Sequence, residues 1–180
     1  FTSDHGDTLG EHRIWGKNLL YECCTRIPLI VHHGSGNTAH GITYETATLL
    51  DLYPTVLEQA GVQVDDNRIA GRALDLRSAA NSPDDRVVIG ELGNSLHPQY
   101  FIRQGPWKLI YLDGYPAWEL YNLTEDPQEL NNLATNEPGI RRNLFGALRA
   151  WLDAEAPHTR PVFPGADRVD HAELSRLSHL

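Results

Sequence analysis

The stretch Thr2-Ser3-Asp4-His5-Gly6-Asp7-Thr8-Leu9-Gly10-Glu11-His12-Arg13-Ile14-Trp15-Gly16-Lys17 decides how the chain is read. An adjacent carboxylate and imidazole, Asp4 and His5, both reach one divalent cation if the backbone turns sharply after them, and Gly6 permits such a turn. Lys17 follows His5 by twelve positions and supplies a point charge for an anionic substrate. Alone, an Asp-His-Gly triplet is most often a solvated turn, and an isolated lysine a surface residue with its stem on apolar neighbours. The spacing of all three, together with the order of segments downstream, points to a metal-dependent site.

Composition sets the bounds. A chain of 180 residues holds one ordinary domain, or a small domain plus part of a larger one, and the second reading is favoured because Phe1 stands directly before the motif with no Met anywhere. At 41% hydrophobic residues the chain is ordinary for a globular protein. It has no apolar run near the roughly 20 residues that cross a bilayer and no charged-then-apolar leader, which leaves localisation open. A net charge of −9 argues against nonspecific nucleic-acid binding. Lys17 and Lys108 are the only two lysines. Cys23 and Cys24 are adjacent, match no metal spacing, and are read as small buried residues at the start of a strand.

Residues 26–33, with Ile27, Leu29, Ile30 and Val31, read as a strand buried on both faces of an α/β sheet. A turn is expected at Gly34-Ser35-Gly36-Asn37. A helix over 48–60 follows, with Leu49, Leu52, Tyr53, Val56, Leu57 and Ala60 at helical spacing and Gly61 as its stop. The polar segment 63–85 reads as a linker. Four strand-like runs, 86–91, 99–103, 108–112 and 118–122, suggest an antiparallel meander in which Trp107 and Trp118 belong to the core. A helix over 137–154, carrying Ile140, Leu144, Ala147, Leu148, Trp151 and Leu152, is expected to cover one face of that sheet. Residues 155–180 are a tail. Asn122-Leu123-Thr124 fits a glycosylation sequon, and the histidines beyond His12 show no mutual spacing that marks a site.

The order of motifs resembles the later part of a type I sulfatase, within the alkaline phosphatase-like superfamily. The segments are Thr2 to Gly6, Leu9-Gly10-Glu11-His12, Trp15-Gly16-Lys17, Arg26-Ile27-Pro28-Leu29-Ile30-Val31 and Asp51-Leu52-Tyr53-Pro54-Thr55-Val56-Leu57. Downstream, Arg103-x-Gly105-x-Trp107-Lys108-Leu109-Ile110-Tyr111 and Glu119-Leu120-Tyr121-Asn122-Leu123-x-x-Asp126-Pro127-x-Glu129 are similar to that family's C-terminal subdomain. The resemblance implies an α/β fold: residues 1–62 would end the main domain, and 86–154 would form a small antiparallel sheet plus helix. It also implies that Asp4 and His5 are metal ligands and that Lys17 is the catalytic and substrate-binding contact to sulfate. The cofactor implied is a divalent ion: calcium first, then manganese, magnesium or zinc.

The family's nucleophile motif, C/S-x-P/A-x-R, which is converted to formylglycine, does not occur in this chain, and Cys23-Cys24-Thr25-Arg26 lacks its spacing. The nucleophile and the first pair of acidic ligands are therefore expected in a preceding N-terminal half, and residues 1–180 alone are expected to be inactive. The implied substrate is a small-molecule or saccharide sulfate ester, and association through an exposed sheet edge near 26–33 is expected. Two alternatives stand beside this: a phosphodiesterase or phosphonate monoester hydrolase of the same superfamily, and a non-catalytic structural or binding module.

Overall fold

The computed structural model describes residues 1–32, 41–62, 69–76, 85–93, 98–112 and 118–159. The turn expected at 34–37, much of the expected linker at 63–85 and the tail from 160 on lie outside the described residues. The chain divides into two compact units, Phe1–Val88 and Ile89–Leu180.

The first unit carries a short hairpin, β1 (Thr8–Leu9) and β2 (Trp15–Gly16), then a single helical turn α1 (Glu22–Thr25) and a helix α2 (Leu52–Gln59) entered through a 3-10 turn at Leu49–Asp51. The cysteines sit on α1 rather than at a strand start, with Cys24 buried and Cys23 half-buried. The segment 26–33 is not a doubly buried strand. Within its described part, Leu29 bridges Thr2, the backbones of Phe1 and Ile30 exchange hydrogen bonds, and Leu29, Ile30 and Val31 are exposed by 38%, 61% and 48%. An apolar run becomes an interior strand only with neighbours on both sides, and the described strand-like pairing of this segment is with Phe1 and Thr2, on one side.

The buried side of α2 is polar. Asp51 and Thr55, one turn apart, are buried, whereas Tyr53 and Val56 are exposed by 59% and 64%. The Asp51 carboxylate accepts from the backbone N–H of Thr48 at 2.7 Å and of Arg72 at 2.9 Å, and from both terminal nitrogens of Arg86 at 2.6 and 2.8 Å. Thr55 donates to the Asp51 carbonyl and accepts from Leu74 N–H at 2.9 Å. Gly71 lets this strap lie close, since a Cβ there would meet the Leu50 carbonyl oxygen at 1.9 Å. Gly61 ends the helix at φ 69°.

The second unit is a four-stranded sheet in the order β3 (Val88–Leu92), β4 (Gln99–Gln104), β5 (Trp107–Leu112) and β6 (Trp118–Asn122). The last three strands pair antiparallel, with Ile102 opposite Leu109 and Leu109 opposite Leu120, so these three side chains share one face. Gly105 at φ 55° opens the tight β4–β5 turn, and Pro106, fixed at negative φ, follows it. Helix α3 (Pro138–Thr159) lays Leu144, Leu148 and Leu152 on that face against Tyr100, Ile102, Leu109 and Leu120, as the sequence spacing predicts. Each wholly buried aliphatic side chain there contributes about 1.5–3 kcal/mol. Trp107 and Trp118 pack against the same core, Trp118 edge-on to Phe145 at 4.4 Å between ring centres.

The opposite face holds a buried ion pair. Lys108, wholly buried on β5, reaches Glu129 at 2.9 Å and lies 5.2 Å from the centre of the Phe101 ring. A buried charge that loses its partner costs about 3–5 kcal/mol, whereas removing both together is far milder. Glu129→Gln is expected to lower stability in urea unfolding by about that amount, and Lys108→Met combined with Glu129→Gln to recover much of it. In the first unit, burial pushes the Asp51 carboxyl up, but hydrogen bonds from Arg86, Arg72 and Thr48 outweigh it and set the value at about 2, below the ordinary 3.8. The stabilisation is therefore complete above about pH 4 and is lost as pH falls through about 2, amounting to about 2 kcal/mol. Acid titration of unfolding free energy should show that loss, and Asp51→Asn, starting less stable, should not.

Candidate active site

The hairpin closes the sequence gap between the three predicted residues. Thr8 pairs with Gly16 and Leu9 with Trp15, so the chain that leaves His5 returns with Lys17 beside it. The bend between the strands needs left-handed backbone at Gly10 (φ 122°), His12 (φ 52°) and Arg13 (φ 61°), and the Glu11 carboxylate braces it by accepting from Leu9 N–H at 2.6 Å. His12 turns away to stack on Tyr21, with ring centres 3.8 Å apart. Asp4, His5 and Lys17 are brought together: Lys17 Nζ lies 3.1 Å from His5 Nε2, and Asp4 Oδ2 lies 3.5 Å from the same nitrogen.

Gly6 serves the site differently from the sharp turn expected of it. Its N–H donates to the Cys24 carbonyl at 2.8 Å, and a Cβ on it would come within 2.1 Å of the Cys23 carbonyl oxygen. Only glycine allows α1 to lie this close behind Asp4 and His5. Arg26, at the end of α1, is exposed.

The hydrogen-bond network assigns the imidazole tautomer. Nδ1 of His5 is 2.9 Å from the Gly6 carbonyl oxygen, which only accepts, so Nδ1 carries the proton and Nε2 presents its lone pair. Lys17 donates to that lone pair. Ser3 Oγ donates to the His5 carbonyl at 2.7 Å and holds the dipeptide from the other side. The Asp4 carboxyl is held below the usual carboxylate range chiefly by its own backbone N–H and by that of His5, so it is ionised at neutral pH.

These donors fit a divalent cation. An oxygen and a nitrogen 3.5 Å apart have close to the separation of two adjacent ligands, each about 2.1–2.4 Å from one ion. The nitrogen has the correct lone pair, and the second ring nitrogen donates to a carbonyl, as metal-binding histidines do. Among the described residues no group of three or more His, Cys, Asp or Glu could hold a metal, so these residues provide two donors.

Thr8 and Cys24 escaped the sequence reading. Both are buried, and both bond to the Gly16 carbonyl, Thr8 through its hydroxyl and Cys24 through its thiol at 3.8 Å. No motif spacing announces a side chain that bonds to a backbone carbonyl. The tautomer assignment is open to test: long-range 1H–15N correlation spectra of the neutral ring should show His5 protonated at Nδ1 and not at Nε2, and the opposite pattern would remove the lone pair from the site.

Comparison with known proteins follows this geometry. Residues 10–152 match the family described as N-sulphoglucosamine sulphohydrolase, C-terminal, a span that contains Lys17 and begins just after Asp4 and His5. The chain is 34% identical over 164 residues to arylsulfatase K of Mus musculus, covering 85% of this chain and 30% of that protein. It is likewise 34% identical over 161 residues to the choline-sulfatase of Rhizobium meliloti, covering 88% and 30%. The structure of BT4656 in complex with its substrate D-glucosamine-2-N,6-O-disulfate superposes with a TM-score of 0.74 at 28% identity, over 87% of this chain and 34% of that one. The phosphonate monoester hydrolase of Agrobacterium radiobacter shares the fold, with a TM-score of 0.68 at 24% identity over 88% of this chain and 35% of that one. The chain thus spans about a third of the length of the proteins it matches, and its architecture is that of the alkaline phosphatase-like sulfatases. It belongs to the type I sulfatases, as a C-terminal portion of their fold.

Proposed function

We propose that Asp4, His5 and Lys17 form the later half of a sulfatase centre that hydrolyses sulfate esters, with residues 1–62 completing a main catalytic domain and 86–154 its C-terminal subdomain. The observation that carries the reading is the placing of the Lys17 ammonium at 3.1 Å and of the ionised Asp4 carboxylate at 3.5 Å from His5 Nε2, on an exposed edge. Asp4 and His5 would hold the divalent ion. A hard carboxylate oxygen favours calcium or magnesium, while the imidazole keeps manganese and zinc in contention.

As the S–O bond breaks, negative charge grows on the sulfate and bridging oxygens. The bound ion would act there as a Lewis acid. Lys17 brings a mobile ammonium to the same oxygens and neutralises developing charge. Asp4, held ionised by backbone N–H groups, keeps the site from becoming wholly cationic, and the Gly6 carbonyl orients the imidazole through Nδ1. The formylglycine nucleophile would come from chain outside these residues, since its motif is absent from residues 1–180. A sulfated saccharide is the proposed substrate class, supported by the substrate named for the BT4656 structure.

A polypeptide joining this chain to its nucleophile segment should be assayed on aryl sulfate, sulfated glucosamine, a phosphonate monoester and a phosphodiester. Sulfate hydrolysis is expected; a preference for phosphorus would replace the sulfatase reading, and no turnover at all would favour a structural module. Lys17→Ala is expected to lower kcat/KM about 10²–10³-fold. Chelation should abolish turnover, and restoration by one divalent ion would identify the metal.

A further inference from the structure

We infer that Thr8 is a positioning residue for Lys17, acting through the Gly16–Lys17 peptide plane with the Cys24 thiol as its second brace. The inference rests on the reading of Lys17 as the sulfate contact. Gly16 has φ 115°, left-handed backbone that favours glycine, and nothing lies within 4 Å of where its Cβ would be. Glycine is therefore required at position 16 for its conformation rather than for space. The same freedom leaves the following peptide group able to swing, and Lys17 would swing with it.

Two side chains prevent this. The carbonyl of Gly16 and the N–H of Lys17 belong to one rigid plane, and that carbonyl accepts from both the Thr8 hydroxyl and the Cys24 thiol. Thr8 is 1% exposed, so its hydroxyl cannot turn to water for a partner. Cys24 also accepts the Gly6 N–H through its own carbonyl, which ties the Lys17 brace to the backbone that follows His5. One buried turn thus sets both sides of the 3.1 Å contact between lysine and imidazole.

The test uses the full chain and nuclear Overhauser contacts between the Lys17 ε-methylene and the His5 ring. The wild-type chain should show them. Thr8→Val, which keeps shape and branching but lacks the hydroxyl, should lose them, and Thr8→Ser should restore them, while signals from the Ile102 and Leu148 core stay in place. Should Thr8→Val unfold the first unit, Cys24→Ala against Cys24→Ser reads the same brace from the other side. Contacts that persist in both Thr8→Val and Cys24→Ala, or that are absent from the wild-type chain, overturn the inference. Because this readout needs no substrate, failure of the sulfatase reading would appear separately, as missing turnover with the contacts intact.

Discussion

A charge withdrawn from water must be met by something of equal strength, and each unit of this chain is organised around one such charge. The Asp51 carboxylate has no exposed surface, so residues distant in sequence converge on it: Thr48 from the start of the helix, Arg72 from the strap held by Gly71, and Arg86 from just before β3. Each carboxylate oxygen is met by a backbone N–H and by the Arg86 guanidinium, so the buried charge has both hydrogen bonds and a counterion. The polar inner face of α2 follows from this constraint rather than from amphipathic patterning. In the second unit, Lys108 and Glu129 do the same for the sheet face turned away from α3, and the left-handed backbone at Glu129 (φ 57°) is tolerated where its carboxylate meets the ammonium.

The site uses another device. Its functional side chains are exposed or half-buried, and what fixes them is backbone. Gly6 lies against α1 at a distance no side chain permits, and Gly16 adopts a conformation that glycine readily takes. A ligand pair in water, held by buried hydrogen bonds behind it, pays little desolvation and still presents a defined geometry. That combination suits ions and anions, which must enter from solvent and be met without rearrangement.

Much of this was legible in the chain. The meander and its covering helix follow from alternation and from the spacing of Leu144, Leu148 and Leu152, because a small two-layer core leaves few other ways to bury those residues. Asp4, His5 and Lys17 stood out as candidates because few residue types do their chemistry, and the hairpin brings them together. The braces were not: Thr8 and Cys24 act on a carbonyl, which every residue has, so no spacing marks them. The segment 26–33 was misread as doubly buried for the opposite reason, while the helix expected over 48–60 forms without burying all of its apolar stripe. Apolar pattern reports what a segment is able to bury, and Leu29, Ile30, Tyr53 and Val56 are exposed all the same.

The disposition of the lysines has a practical side. One of the two is sealed beneath Phe101 and Glu129, while Lys17 stands exposed beside His5. Amine-directed acylation of the folded chain therefore finds a single lysine side chain, and that lysine is the one in the candidate centre. Attachment at that one lysine side chain then reports, through its rate, on whatever is bound next to the imidazole.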